Sequence, residues 1–245
     1  RATTTASYTG AIVGKLLGSM ATCENHMNIS SEKTVGGLVG LLVANGSIEN
    51  SYNTGKIIGN IAGGLVGSAI NSELDNEGNK YYTSGYVSNC YNTGEVLGNI
   101  AGGIAGRANG YYIVNCIVNS EVKTSDGVCG GVVGYLSLQD MENTPLVSVD
   151  ENVYGGVMGC RVSGTVSGTH GVLVGEIHCT NTRGKIYIEN NVVKQDLYLI
   201  GNKNSFATNE NAVVEIISNK MSTDNAFEGD FDYDNASYYA SNEWV

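Results

Sequence analysis

The sequence predicts an all-β parallel β-helix, a β-solenoid, and three observations carry that prediction. A sentence is written twice: NSYNTGKIIGNIAGGLVG at 50–67 returns as NCYNTGEVLGNIAGGIAG at 89–106. The 245 residues hold 34 glycines and a single proline. Val, Ile, Thr, Tyr and Asn are plentiful while the usual helix formers are sparse, a balance that favours short strands joined by tight turns. Finally, a small residue, usually Cys, precedes each glycine motif at a nearly constant distance.

The register follows from the last point. Gly-x-φ-φ-Gly, with φ small or apolar, occurs at 10–14, 36–40, 63–67, 102–106, 130–134, 155–159 and 171–175. Cys23, Ser51, Cys90, Cys116 and Cys160 stand at a similar remove before the motifs that begin at Gly36, Gly63, Gly102, Gly130 and Gly171. Counting back by the same amount from Gly155 lands in polar QDMENTP, so GGVMG at 155–159 is expected to be a decoy beside the strand that carries Cys160. The remaining spacings are 26, 27, 39, 28 and 41, a basic unit near 26 that is lengthened twice.

Each unit parses into three short strands: the GGLVG segment, the segment around IENSY, and KIIG. NTG turns between the last two, where Asn and Gly accept left-handed backbone. One such unit cannot bury its apolar side, but units stacked at about 4.8 Å can. About six coils are expected, right-handed by the general preference of parallel crossovers. Leu38, Leu65, Ile104, Val132 and Leu173 should form one inward ladder. Cys23, Ser51, Cys90, Cys116 and Cys160 should form another, with Cys179 at the same rung position.

GGLVG followed by NCYNTG-x-V-x-G resembles the GLUG repeat of bacterial surface proteins, including adhesin-like chains and immunoglobulin-A-specific metallopeptidases. The resemblance covers about residues 10–201 and is closest at 50–67 and 89–106. It implies a β-helical stalk or adhesive region of a secreted or cell-surface protein, and it transfers no catalytic residue. The organisation expected is a solenoid over 1–201 with insertions at 68–86 and 135–156. Residues 202–245 would supply a C-terminal capping strand, read at 212–218, and an acidic tail.

The net charge of −11, with only 13 Lys plus Arg, argues against nucleic acid, which needs a basic surface. No window approaches about eighteen continuous apolar residues, so no membrane insertion is expected. The chain opens at Arg1 without a signal peptide and reads as a mature chain or a piece of a larger one.

Candidate chemistry is thin. The six cysteines suggest disulfides in an exported protein, but side chains stacked in parallel strands keep their Cβ atoms near 4.8 Å apart, outside the usual disulfide range. Free buried thiols acting as small hydrophobes are expected instead. His26, His170 and His178 form no HExxH, and His178 and Cys179, adjacent in a strand, should face opposite sides. DFDYDN at 230–235 has the D-x-D-x-D start of a calcium loop, yet Asn235 and Ser241 stand where Gly and Glu are needed, so a solvated acidic tail is expected. Carboxylates cluster only at Glu73, Asp75 and Glu77. Thr54 and Thr93 align, but their column does not continue. No catalytic residue, metal site or cofactor is assigned.

The insertions are the better lead, because both grow at the corner after the GGLVG strand and solenoid insertions tend to mark the binding face. Tyr81, Tyr82, Tyr86, Tyr111, Tyr112, Tyr135 and Tyr154 leave that corner and should line one edge. The expected function is a non-catalytic stalk or adhesive module, extracellular or at the cell surface. Such a chain would be monomeric within a longer polypeptide, and its partner would be a host glycan or protein. The alternatives are a region of a larger immunoglobulin-A-type protease and a solenoid carbohydrate-active enzyme.

Overall fold

The computed structural model describes residues 2–4, 6–74, 80–82, 84–138, 154–168, 170–179, 185–194, 199–202 and 213–221. Among the described residues every regular element is a strand, and the long sheets are parallel throughout. Four sheets, A to D, run the length of the stack, with ten strands in A and seven each in B, C and D. No helix among these residues is long and apolar enough to cross a membrane.

One coil illustrates the path. Thr34–Gly36 lies in sheet A, Val39–Val43 in B, Ser47–Glu49 in C and Tyr52–Asn53 in D. Ile57–Gly63 then re-enters sheet A, its first half pairing with Ile29–Ser31 and its second with Thr34–Gly36. The fold is thus the expected parallel β-helix, with a fourth short strand per coil where the sequence suggests three. Tyr52–Asn53 is a two-residue strand, too short to show a period.

The duplicated sentence pairs with itself in register: Tyr52 with Tyr91, Ile57 with Val96, Gly63 with Gly102. GGVMG is the decoy expected. Tyr154–Met158 is a sheet C strand that pairs Val157 with Ile113 and Ile188. The chain also keeps its register past residue 201. Ile200–Asn202 joins sheet B, Val213–Ile217 joins sheet C and Lys220–Met221 joins sheet D. The strand read at 212–218 is therefore another rung of sheet C. The acidic segment beyond it, including DFDYDN, lies outside the described residues.

The glycines of the motif are steric necessities. A Cβ on Gly36 would sit 2.0 Å from the Val39 carbonyl oxygen, because the chain arches there from sheet A into sheet B. One on Gly37 would meet the Asn53 side chain at 2.7 Å, across the core. The next residue in the motif carries the core. Leu38, Leu65, Ile104, Val132 and Leu173 are fully buried, and each of the first four amides bonds the carbonyl of the next at 2.9 Å. This is the expected ladder.

The turn between sheets C and D departs from the NTG expectation. The left-handed residue is not Asn53 but the one that closes sheet C. Thr22, Asn50, Asn89, Asn115, Gly159, Asn190 and Ser218 occupy this corner in successive coils, with φ between 46° and 64°. Asn tolerates this conformation better than most L-residues. Asn53 instead points inward and is fully buried. Its carboxamide receives the Gly55 N–H at 3.2 Å, donates to the Gly55 carbonyl at 2.8 Å, and donates to Asn92 Oδ1 at 2.8 Å. Asn25 and Asn92 repeat the pattern, and from Val118 onward the position turns apolar.

The rung after each left-handed residue is Cys23, Ser51, Cys90, Cys116 and Cys160, as expected, but it continues with Asn191 and Asn219. Cys179 is not part of it. That residue pairs with Leu138 at the end of sheet B, since the chain reaches its next C–D corner later, at Asn190. The rung residues are more than small hydrophobes. The serine and each rung cysteine donate to the carbonyl two residues back, as in Ser51 Oγ to Glu49 O at 2.7 Å and Cys90 Sγ to Ser88 O at 3.1 Å. Four of the rung side chains also accept from the backbone of the previous coil: Cys23 N–H to Ser51 Oγ at 3.1 Å, Cys116 N–H to Cys160 Sγ at 3.5 Å, Cys160 N–H to Asn191 Oδ1 at 2.8 Å and Asn191 N–H to Asn219 Oδ1 at 3.1 Å. Cys, Ser and Asn share a short reach and an acceptor, which Ala and Val lack.

This predicts an ordering at Cys160. Cys160→Ala strands the Cys116 N–H in the core and should cost about 1–3 kcal/mol, whereas Cys160→Ser, which restores the acceptor, should lose less than half of that. Urea unfolding of the two variants checks it, and equal losses would refute the relay.

Candidate functional site

Both expected insertions leave the B–C corner. Ile70 pairs with Asn109 and Tyr86 with Tyr112, so the stretch 70–86 in one coil answers to 109–112 in the next. In the coil after that, Ser137 and Gly156 occupy the same two positions, at the ends of the stretch 137–156. A third lengthening, which the motif spacing does not reveal, lies between His178 and Tyr187 at this corner. It was hidden because no Gly-x-φ-φ-Gly motif follows 171–175, so no spacing spans it. The first insertion opens with an antiparallel pair, Ser72–Leu74 against Lys80–Tyr82.

The tyrosines do not share one edge. Tyr111 is fully buried, and its hydroxyl donates to the Ala44 carbonyl at 2.6 Å. A Cβ on Gly85 would lie 2.5 Å from the Tyr111 ring, so the ring locks the end of the first insertion onto the core. Burial raises its pKa. Tyr135 lies on sheet B, in register with Arg107 and Glu176, with the Arg107 guanidinium 5.7 Å from its ring and His178 stacked at 6.3 Å. Tyr86 and Tyr112 are register partners on sheet C. The side chains of Tyr81, Tyr82 and Tyr154 lie outside the described residues, although their backbones belong to the hairpin and to sheet C.

Sheet C holds the longest alignment of aromatics that register produces among the described residues, sheet D adding only the pair Tyr52 and Tyr91. Ser47, Tyr86, Tyr112, Gly156, Tyr187 and Glu215 pair in succession along one column, and Glu49, Ser88, Val114, Met158, Glu189 and Ile217 along the next but one. Between them Ile48, Val87, Ile113, Val157 and Ile188 are fully buried, which puts the two flanking columns on the outer side of the sheet. Tyr86, Tyr112, Val114, Met158, Tyr187 and Glu189 line a groove of about 480 Å³. The Tyr86 hydroxyl donates to Glu49 Oε1 at 2.6 Å, which raises the phenol pKa and holds the ring at the groove's end. Tyr187, Val114 and Met158 escape a reading that follows insertions. The available signal is the rung, because Tyr86, Tyr112, Gly156 and Tyr187 each stand four residues before a rung residue.

A second polar cluster lies on sheet D. His26 Nδ1 is 2.8 Å from Thr54 Oγ1 and Nε2 is 3.2 Å from Glu24 Oε2, with the Tyr52 ring edge-on at 5.4 Å. Hydrogen bonds from Tyr52 and then His26 lower the Glu24 pKa. The His26 and Glu24 side chains are 61% and 54% exposed, so the cluster is a solvated contact between coils. His178 and Cys179 face opposite ways as expected, the thiol into the core. His170 belongs to a sheet A strand paired with Cys129, and its side chain lies outside the described residues, as do those of Glu73, Asp75 and Glu77. Among the described residues no group of three or more His, Cys, Asp or Glu could hold a metal ion.

The family model of the GLUG motif matches residues 31–58. That span is one coil, from the sheet A strands through B, C and D and back into A. A crystal structure described as that of a "putative immunoglobulin A1 protease" from Bacteroides ovatus superimposes on 84% of this chain with a TM-score of 0.55 and 21% identity. The likeness supports the solenoid fold. This chain spans 62% of that protein, less than two thirds of its length. No curated protein matches.

All six cysteines are free, five of them buried. Burial pushes the Cys116 and Cys160 thiols well above their ordinary range and that of Cys129 up to about 12. The thiolate is the nucleophile, so these groups are inert in the folded state. A thiol whose folded pKa is raised contributes stability that is complete below its unfolded pKa, about 8.5, and declines as pH rises toward the folded value. The urea midpoint should therefore fall steadily from pH 8.5 to 10.5. In 5,5′-dithiobis(2-nitrobenzoic acid) at pH 8, half-buried Cys23 should react first and the other five only on unfolding. Rapid native reaction of three or more thiols would contradict this burial.

Proposed function

We propose that this chain is a non-catalytic binding and spacer module of a larger secreted or cell-surface protein of a bacterium, acting as one monomeric segment of that polypeptide. One observation carries the reading. The largest departures from the 26-residue period leave the same B–C corner, while the C–D corner repeats its left-handed residue coil after coil. A scaffold that varies most at one corner is built to present a surface there. The match to the GLUG motif supports placement in a surface or secreted protein. The partner in this reading is a glycan or a protein of a host, and no cofactor is needed.

A second reading draws on the crystal structure of the similar protease-like protein: the chain is a region of a larger immunoglobulin-A-type protease, and it presents a catalytic unit located elsewhere in that polypeptide. Both readings make the same prediction for the purified chain. Incubated overnight with immunoglobulin A1 or with neutral and acidic polysaccharides, it should leave gel bands and reducing-end counts unchanged. Reproducible cleavage that persists after further purification would overturn the non-catalytic assignment and favour a solenoid carbohydrate-active enzyme or a protease.

A further inference from the structure

We infer that the tyrosine groove of sheet C binds a neutral glycan chain, laid across the strands with one sugar ring at the Gly156 rung. The inference rests on the proposed binding role and names its site and ligand class. Three features of the groove select that class.

The first is spacing. Tyr112, Gly156 and Tyr187 are consecutive register partners. At about 4.8 Å per rung, the two tyrosine backbones stand about 10 Å apart. Gly156 puts no side chain between them. The gap is fixed by the backbone, since a Cβ there would meet the Tyr187 carbonyl oxygen at 2.2 Å. Aromatic walls one rung apart close on each other, whereas walls two rungs apart leave room for a puckered ring with C–H groups on both faces. Tyr86, one rung before Tyr112, extends the platform for the next sugar.

The second is the mixed character of the lining. Val114 and Met158 are the aliphatic members of the lining, while the three tyrosines bring rings that each carry a polar group and Glu189 brings a carboxylate. A sugar has the same division, with an apolar face and a belt of hydroxyls. A purely aliphatic ligand would leave the polar groups without purpose. Tyr86, 40% exposed and tied to Glu49, offers a ring already held in place, which lowers the ordering cost of binding.

The third is charge. Glu49, Glu189 and Glu215 stand on the two columns that bound the groove, and Lys185, the nearby cation, is held by Glu215 at 2.7 Å. The whole chain carries −11. Sulfated, sialylated or uronic-acid chains would approach against this field, and nucleic acid likewise. Neutral glycans do not.

Titration calorimetry with hexamers of β-linked glucose, N-acetylglucosamine and mannose, and with hexagalacturonate as the anionic control, tests the site. At least one neutral hexamer should bind, and hexagalacturonate should not. Tyr187→Ala should weaken that affinity tenfold or more with an unchanged melting temperature. Met158→Arg, which fills the groove, should do the same, and Asn119→Ala, exposed just past sheet D, should have no effect. Binding lost in Tyr135→Ala but kept in Tyr187→Ala would move the site to sheet B and overturn this inference while leaving the proposed function standing. No binding by any neutral hexamer, or preference for the anionic one, would overturn the ligand class. A dimer in sedimentation that Met158→Arg dissociates would make the groove a contact between copies instead. Release of shorter sugars during titration would overturn the proposed function itself.

Discussion

Each coil must turn from sheet C into sheet D, and that turn leaves a backbone N–H aimed into the core, where no water reaches it. A buried amide without a partner costs about 1–3 kcal/mol, and the cost would recur in every coil. The chain meets it with the side chain of the next coil: Cys116 N–H on Cys160 Sγ, Cys160 N–H on Asn191 Oδ1, Asn191 N–H on Asn219 Oδ1. Much else follows from this relay. The donor can reach only if the residue before it adopts the left-handed conformation, hence Asn, Gly, Ser or Thr at that position. The relay joins four pairs of successive coils, so a slip of one residue would break it there and turn every apolar side chain outward.

The asparagine ladder repeats this logic one step along the chain. Asn25, Asn53 and Asn92 use both ends of the carboxamide within their own coil and still donate to the coil above. Buried polar networks stabilise only when every member is satisfied, and here register satisfies them without any freedom in the side chain. Where the ladder gives way to Val118 and Val162, the same space is filled by apolar packing against the second glycine of the motif. Two chemistries therefore serve one position, which is why the NTG text fades in the later coils while the fold does not.

These details decide what could be read from residues alone. The period, the inward Leu38-to-Leu173 ladder, the decoy at 155–159 and the B–C corner were legible because each rests on spacing, and stacking preserves spacing. The fourth strand was not legible, since two residues carry no periodicity. The left-handed position was misread because Asn50 and Asn53 are the same residue type three apart and only the backbone distinguishes them. Cys179 was misassigned because cysteine alone looked like the rung signal. The rung asks for an acceptor, and Asn191 meets that requirement where Cys179 does not. The tyrosine face was half legible, since a search for insertions finds Tyr86 and Tyr112 but passes over Tyr187, which only the count of four back from the rung recovers.

That count of four links the core to the surface. The residue four before the rung points outward, and an inward, an outward and a left-handed position follow before the rung is reached. Its direction is therefore set by the buried relay and not by its own contacts. Residues of very different size and charge can stand there while the stack persists, and the chain has written Ser, Tyr, Tyr, Gly, Tyr and Glu in turn. The core thus supplies a fixed ruler of about 4.8 Å, and the surface column can change one rung at a time. A glycan has a repeat of its own, and a rigid ruler of comparable pitch recognises a repeating ligand without any loop having to fold around it.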